Sequence, residues 1–421
     1  MIIVIFYSRG TKMRPLSLCA LVLLHCMSLI TVAEAGSDIK HNIPIAESSL
    51  PLQQIQTAST PTVQSSAETA TQKPGATENQ QAPKKRKKPW LELHGEARYI
   101  YGEGRFDIDT DVQTPFGKRH VHQHSKLILP QHRIRLEPTL HFSDSWRLTG
   151  MLEDSRDHHV SANNRHAYLK RLYMQHDAGL VQYTFGRFNQ FMNDGNIIDE
   201  QLDGIRVNLK PQKGFSASLA YGRTHKPHNW QQKTGLLAEV AYQRPDSRWN
   251  HKLEYLNMRA TGAVPESFIM PGTNLYAEED RFRRQEIWSL YNSYDFTPHL
   301  RGSVELLRST GWRAEGAAER DYGWVGTLLI HYVHQPNKLG DWDVWIRYYC
   351  QPSSSYITHT MDAQPTFFNN YAGFKGWCAR YEVVAGKGLV LILEGFYLNN
   401  RHDRGLHQTE RVLGFSLTQV F

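Results

Sequence analysis

From Trp90 to the last residue, apolar and polar residues alternate along the chain, and turn residues interrupt the alternation at intervals. The first such segment sets Glu92, His94, Glu96 and Arg98 against Leu91, Leu93, Ala97 and Tyr99. Successive side chains of a β-strand point to opposite faces, so a period of two gives each strand one apolar and one polar face. The sequence therefore predicts an all-β fold.

This pattern identifies sixteen candidate strands, separated by connections that are alternately short and long. The strands span 90–102, 125–142, 145–155, 165–176, 180–188, 203–210, 214–223, 236–243, 248–259, 284–295, 299–309, 321–333, 340–351, 374–385, 388–398 and 409–421. The short connections are 143–144, 177–179, 211–213, 244–247, 297–298, 334–336 and 386–387. The long ones are 103–124, 156–164, 189–202, 224–235, 260–283, 310–320, 352–373 and 399–408.

Alternating connections are typical of one kind of β protein. Outer-membrane barrels have an even number of antiparallel strands, short periplasmic turns and longer outer loops. Residues 90–421 are therefore predicted to form a transmembrane antiparallel β-barrel. Its even number of strands places the first and the last strand end of the chain on the periplasmic side. A soluble sandwich or propeller is the alternative, but neither gives a reason for loop length to alternate.

Composition supports a barrel and excludes a bundle of membrane helices. Apolar residues are 40% of the chain and its mean hydropathy is −0.52, whereas a membrane helix needs about 20 consecutive apolar residues. Only the extreme N-terminus holds such a stretch. Aromatic residues are 11% of the chain, and many stand near predicted strand ends, where a barrel has its interfacial girdles.

The N-terminal region has the features of an export signal. Arg9, Lys12 and Arg14 precede the apolar run 16–30, and Ala33-Glu34-Ala35 follows it. A basic stretch, a short apolar stretch and an A-x-A site predict a signal peptide over 1–35, cleaved after Ala35, with Met13 as the translational start. A retained membrane anchor is the alternative.

Residues 36–89 are rich in Pro, Ser, Thr and Gln, which predicts a disordered periplasmic linker. The linker ends in the basic run 84–88, for which we expect contact with the cell wall or anionic lipid. The first 89 residues hold ten Lys or Arg against five Asp or Glu, and the rest of the chain holds 38 against 36. The net charge of +7 therefore gives no reason to expect a nucleic-acid partner.

Several short motifs recur in an order that is familiar from one family. They are His132-Arg133-Ile134-Arg135-Leu136, Ser145-Trp146-Arg147-Leu148, Leu152-Glu153-Asp154, His166-Ala167-Tyr168-Leu169, Phe185-Gly186-Arg187-Phe188, Leu202-Asp203-Gly204-Ile205 and Glu394-Gly395-Phe396-Tyr397. In this order, residues 90–421 resemble the porin family of diderm Firmicutes (Negativicutes-type outer-membrane porins), without the S-layer homology module that often precedes the barrel. The last strand, which ends in Phe421, resembles that of bacterial outer-membrane proteins. The resemblance implies an outer-membrane transport barrel, and its size resembles that of porins that form homotrimers.

If the apolar face of each strand contacts outer-membrane lipid, the polar face lines the lumen. The predicted pore-lining residues are Glu92, His94, Glu96, Arg98, Arg133, Arg135, Glu137, Arg147, Glu153, Arg301, Glu305, Arg380, Glu382 and Glu394. Rings of charge set the ion preference of a pore, and the presence of both signs predicts a transverse field. The alternative is that these charges bind one another and only keep the interior wet.

The third long connection, 189–202, contains the apolar pairs Phe191-Met192 and Ile197-Ile198. Two placements are open for it: the loop folds into the lumen and narrows the channel, or it packs on the rim or on a neighbouring subunit. Arg187, at the base of this loop, is the predicted constriction residue.

Only two of the four cysteines, Cys350 and Cys378, follow the predicted cleavage site. The alternation places Cys350 with Ile346 and Tyr348, and Cys378 with Arg380, on opposite sheet faces. A disulfide between them would need a bulge, so we expect two free thiols.

The sequence has no G-x-S-x-G, H-E-x-x-H, EF-hand or P-loop motif. Two histidine sets, His120, His122 and His124 and the pair His158-His159, could bind zinc weakly, but we interpret them as parts of solvated polar loops. No cofactor or catalytic site is predicted, and the predicted function is passive diffusion of small hydrophilic solutes and ions. The alternatives are an outer-membrane barrel enzyme (a hydrolase or protease) and a tether between outer membrane and cell wall.

Overall fold

The computed structural model describes residues 89–114, 117–128, 130–158, 165–225, 232–244, 246–261, 268–269, 276–277, 282–313, 318–331, 338–357, 373–401 and 406–421. The predicted signal peptide and the predicted linker, except its last residue, lie outside the described residues. Within the described ranges, no helix is long and apolar enough to cross a membrane.

Sixteen antiparallel strands form one closed sheet, as the alternation predicts. They are β1 (Trp90–Thr114), β2 (in two segments, Gly117–Ile128 and Gln131–His141), β3 (Trp146–Asp157), β4 (Arg165–Ala178), β5 (Val181–Met192), β6 (Ile198–Gln212), β7 (Phe215–Thr224), β8 (Lys233–Gln243), β9 (Trp249–Ala260), β10 (Phe282–Thr297), β11 (Leu300–Arg313), β12 (Ala318–Ile330), β13 (Trp342–Gln351), β14 (Phe374–Gly386), β15 (Leu389–Asn400) and β16 (Leu406–Val420). Two-residue strands, Phe268–Ile269 and Tyr276–Ala277, pair within the β9–β10 connection.

The barrel closes where its first strand meets its last. β1 pairs with β16 from Glu96↔Val420 to Thr110↔Leu406 and pairs on its other side with β2. The backbone groups of Gly95 and Phe421 exchange two hydrogen bonds, of 2.8 and 3.0 Å. The C-terminal residue therefore belongs to the closing seam, and closure removes the exposed edges that an open sheet would leave.

The two faces of the wall differ as the sequence predicts. Outward-facing Leu91 and Leu93 are 63% and 55% exposed, while inward-facing Arg98 is 2% exposed. Aromatic pairs ring the outer face at two levels: Trp146–His176, Phe215–Tyr242 and Trp249–Tyr294 near the short turns, and Tyr255–Trp288, Trp324–Tyr348 and Tyr101–Phe415 nearer the long connections. An apolar belt between two aromatic girdles is the outer surface of a transmembrane barrel.

The first long connection is shorter than the sequence predicts. Residues 103–124 were expected to form a loop, but β1 continues to Thr114 and β2 begins at Gly117, so most of this segment is a hairpin. Polar residues lie on its outward face, because a strand that extends beyond the lipid needs no apolar outer side. The expectation of a loop was wrong for that reason.

Three histidines of this hairpin each oppose an aspartate. The Nδ1 atoms of His120, His122 and His124 lie 3.0, 2.5 and 2.7 Å from carboxylate oxygens of Asp111, Asp109 and Asp107. Burial disfavours the charged form of Asp107, but hydrogen bonds with His124 and Arg105 outweigh it and lower its pKa. The histidines therefore stabilise the hairpin through cross-strand pairs.

A row of four glycines crosses the inner face of β5 to β8. Gly186, Gly204, Gly222 and Gly235 are register partners in turn. A Cβ atom on Gly204 would lie 2.1 Å from the Tyr221 carbonyl oxygen, and one on Gly235 would lie 2.0 Å from that of Asn257. Only glycine fits such close approaches, which mark a sharply curved corner of the barrel.

Cys350 and Cys378 are not joined by a disulfide in the structure, as the sequence predicts. Cys378 faces inward opposite Arg347, and Cys350 faces outward opposite Lys375. For a chain cleaved after Ala35, we therefore expect the electrophoretic mobility of the unfolded chain to be the same with and without a reducing agent, and two thiols per chain to react with maleimide after unfolding. Faster migration without the reducing agent would contradict this placement.

Candidate functional site

The predicted pore-lining residues lie on the inner face of the wall, with the exception of Arg187. Register pairs show the shared face: Arg98 opposes Arg133, Glu96 opposes Arg135, and Arg380 opposes Glu394. Glu92, His94, Glu137 and Arg147 lie on the same face nearer the short turns, and Arg301 pairs there with Asp295 at 2.5 Å. Alternation therefore brings these charges into one interior.

Arg187 lies on the outer face, and its prediction as a constriction residue was wrong. It shares that face with Phe185, which is 37% exposed, and its partner across to β6 is Asp203, at 2.7 Å. The loop starts later than predicted, because β5 continues to Met192. Arg187 is therefore part of a regular strand, where the period of two turns it away from the lumen.

A charge network joins β1, β2, β3 and β4 across the inner face. Glu96 accepts from Arg133 Nη2 at 2.6 Å and lies 3.4 Å from Arg98 Nε. Glu153 accepts from Arg135 Nε at 2.6 Å and from Lys170 Nζ at 2.8 Å. Arg98 and Arg133 are like charges directly opposite each other, an arrangement that is destabilising unless a carboxylate lies between them; Glu96 fills that place.

Glu153 is the buried centre of this network, and its loss should destabilise the barrel. Glu153→Ala leaves Arg135 and Lys170 without their carboxylate in a site where the three side chains are at most 7% exposed. We expect a loss of about 3–5 kcal/mol in the free energy of unfolding. Thermal unfolding in detergent measures it. The control is Glu92→Ala, a half-exposed carboxylate that contacts His94 and His141, for which about 1 kcal/mol or less is expected.

The far wall carries acidic residues. Glu239 and Glu254 are register partners on β8 and β9, and both face inward. β8 and β9 lie about half-way round the closed sheet from β1 and β2. Lys252 of β9 lies on the same inner face as Glu254, so charges of both signs line this side of the lumen as well.

The tip of the β5–β6 connection crosses the lumen. Of the two placements that the sequence leaves open, the structure therefore has the inward one. Asn193 Nδ2 donates to Glu305 Oε1 at 2.9 Å, and Asn196 Nδ2 donates to Glu305 Oε2 at 2.8 Å. Arg347 Nη1 of β13 donates to Asn196 Oδ1 at 2.9 Å. The hairpin tip therefore forms hydrogen bonds with two strands across the lumen, β11 and β13.

Local sequence explains the tight tip. Asn193, Asp194 and Gly195 have φ values of 45°, 53° and 81°. Asn, Asp and Gly are the residues that enter the left-handed region most readily. Three of them in succession reverse the chain between Met192 and Ile198 without a longer loop.

Apolar residues of this hairpin pack against the inner face of the wall. Phe188, Met192, Ile197, Ile198 and Leu202 join a buried cluster with inward-facing residues of the wall, including Leu237, Leu256, Ile287, Leu307 and Tyr349. The chain after β13 folds in as well, since Ile357 N donates to Ile197 O at 2.9 Å. Two inward segments therefore occupy the lumen on the β7–β14 side.

The histidine sets lie at the outer end of the barrel. His132 and His158 have ring nitrogens 2.8 Å apart, and His159 lies outside the described residues. In the part of the chain that the structure describes, no group of three or more His, Cys, Asp or Glu side chains is arranged to hold a metal ion.

The sequence analysis did not identify four residues that lie in the lumen or on its wall: Lys170, Arg171, Asn196 and Arg347. Lys170 and Arg171 are adjacent, so a strict period of two would turn one of them into lipid. That conflict was a signal of an irregular strand. Alternation was a signal for Arg347, which lies between Ile346 and Tyr348 of the predicted apolar face. No sequence signal was available for its contact with Asn196, because the two residues are 151 positions apart.

Comparisons with known proteins agree with the barrel. No family model matches the chain, and no curated protein matches it by sequence. The solved structure of a loop-deletion mutant of OmpT, an outer membrane protein of Vibrio cholerae, superposes with a TM-score of 0.50 and 10% identity, covering 80% of this chain and all of that one. An anion-selective porin from Comamonas acidovorans gives 0.49 and 12% (79% and 100% covered), and the channel DcaP of Acinetobacter baumannii gives 0.47 and 10% (79% and 98%). At 10% identity, the likeness to the Vibrio cholerae protein is one of fold alone.

Proposed function

We propose that this chain is an outer-membrane porin through which small hydrophilic solutes and ions diffuse passively. The observation that carries the proposal is the two-sided wall: sixteen closed strands with an apolar belt outside and charges of both signs inside. Barrels of 16–18 strands are wide enough to leave an aqueous channel. The hairpin tip at Asn193–Gly195 then narrows that channel from one side.

The finer assignments are also proposals. The ordered motifs support membership of the porin family of diderm Firmicutes, and barrel size supports a homotrimer. The pattern of residues 1–35 supports export through a cleaved signal peptide, and that of 36–89 supports a periplasmic linker. The basic run 84–88 supports contact of the linker with cell wall or anionic lipid.

Proteoliposomes test the proposal against its rivals. We expect vesicles that contain the protein to release small sugars and salts and to retain large dextrans. Hydrolysis of peptide or lipid substrates without solute release would favour the barrel enzyme. Detachment of the envelope after deletion of 36–89, with solute uptake intact, would favour the tether.

A further inference from the structure

A β-bulge turns two successive cations of β4 into the lumen. Leu152 of β3 pairs with Leu169, but Met151 pairs with Arg171, so Lys170 is the extra residue. Outward-facing Leu169 and Leu172, which are 43% and 44% exposed, are three positions apart instead of two. Lys170 and Arg171 therefore both point inward, which is how a bulge re-aims a side chain.

The two cations differ in their partners. Lys170 Nζ donates to both oxygens of Glu153, at 3.0 and 2.8 Å. Arg98 and Arg133 share Glu96, and Arg135 shares Glu153 with Lys170. Among the described residues, no carboxylate is within ion-pair distance of Arg171, and its buried Nε has no acceptor. Arg171 is thus the cation of this network whose charge no carboxylate neutralises by direct contact.

Arg171 also remains partly exposed on the inner face of the wall. Its electrostatic neighbours are Arg135, Glu137, Tyr173 and Asp199. Asp199 lies on the β6 side of the hairpin and accepts from Asn189 Nδ2 at 3.1 Å. Arg171 on the wall and Asp199 on the hairpin are therefore near enough for their opposite charges to interact.

We propose that Arg171 is the anion-binding residue of the channel, selecting small solutes that carry a carboxylate or phosphate group. A guanidinium offers its donors in a planar fork that matches the two oxygens of such a group. The other cations of the network already contact Glu96 or Glu153, so Arg171 is the residue with donors to offer a passing anion. This inference rests on the proposed channel function.

Reversal potentials of single channels in a potassium chloride gradient test it. Removing one unit charge about 6 Å from an ion in water changes the energy of chloride and of potassium in opposite directions, by a factor of about three each, which lowers the chloride-to-potassium permeability ratio about tenfold. We expect the permeability ratio to fall by that factor in Arg171→Gln and to change little in Arg171→Lys. Inorganic phosphate should block the chloride current less strongly in Arg171→Gln than in the wild type or in Arg171→Lys. Arg187→Gln is the matched control, since its guanidinium lies on the outer face.

A second variant keeps the test informative if Arg171→Gln does not fold. Asp199→Asn removes the opposing carboxylate and should raise the permeability ratio. Channels whose ratio is the same in wild type, Arg171→Gln and Asp199→Asn would overturn the assignment of Arg171 and leave the porin standing. A wild-type protein that inserts but conducts no ions would overturn the porin itself, and the assignment with it.

Discussion

Asn196→Ala should raise the single-channel conductance and make it fluctuate. The substitution removes the bond to Glu305 at 2.8 Å and the bond from Arg347 at 2.9 Å, both of which join the hairpin tip to charged groups. Hydrogen bonds to charged groups contribute about 1.5–3 kcal/mol each, so docking of the tip should weaken by about 3–6 kcal/mol. The apolar residues beneath the tip still hold it in part, and we expect the hairpin to exchange between docked and released positions.

Planar bilayer recordings measure both effects. The control is Asn292→Ala, because Asn292 lies on the outer face of β10 and bonds to His251 at 2.7 Å. We expect Asn292→Ala channels to conduct as the wild type does. If Asn196→Ala channels have the same conductance as wild-type channels and their current fluctuates no more, the hairpin does not limit the passage, and the proposed constriction is wrong.

Gly204→Val should prevent the barrel from forming. The added Cβ would lie 2.1 Å from the Tyr221 carbonyl oxygen and 2.6 Å from the Gly222 Cα, both of which are backbone atoms. Relief would require β6 and β7 to separate at this sharply curved corner of the sheet. We expect a cost above the roughly 1–3 kcal/mol of ordinary overpacking, and therefore little folded protein.

The fraction of the protein whose mobility in dodecyl sulfate gels changes on heating measures the folded fraction. Gly150→Ala is the control, because the nearest atom to its Cβ, Pro138 Cγ, is 3.8 Å away, an ordinary contact. We expect Gly150→Ala to fold as the wild type does. Equal folded fractions for Gly204→Val and Gly150→Ala would show that the corner tolerates a side chain, contrary to the geometry.

The sequence predicted strand number, wall orientation and most inward charges, because all three follow from a period of two. Glu96, Arg98 and Arg133 were found by alternation alone. The predictions are wrong where the period of two is interrupted, or where the outward face of a strand does not contact lipid. The first hairpin, 103–124, has a polar outer face because it extends past the lipid, so its strands were read as a loop. Arg187 is misplaced because the predicted third connection begins four residues too early.

Contacts across the lumen could not be predicted. The tip at 193–196 reaches Glu305 and Arg347, and no local pattern encodes which far strand a folded-in hairpin will meet. The inward turn of Lys170 and Arg171 depends on a one-residue bulge whose position is set by pairing with β3. Such features depend on tertiary register, which a single sequence does not specify.

Thiol labelling along β7 tests most directly the claim that one wall separates lipid from water. In a chain that begins at Gly36 and whose two cysteines are replaced by Cys350→Ser and Cys378→Ser, single cysteines at 216, 217, 218 and 219 would carry a fluorophore in lipid vesicles. The structure turns Ser216 and Ser218 inward, and turns Ala217 and Leu219 outward. We predict that aqueous iodide quenches the labels at 216 and 218, while brominated lipid quenches those at 217 and 219. Quenching of all four labels by iodide, and of none by lipid, would contradict a membrane-spanning barrel.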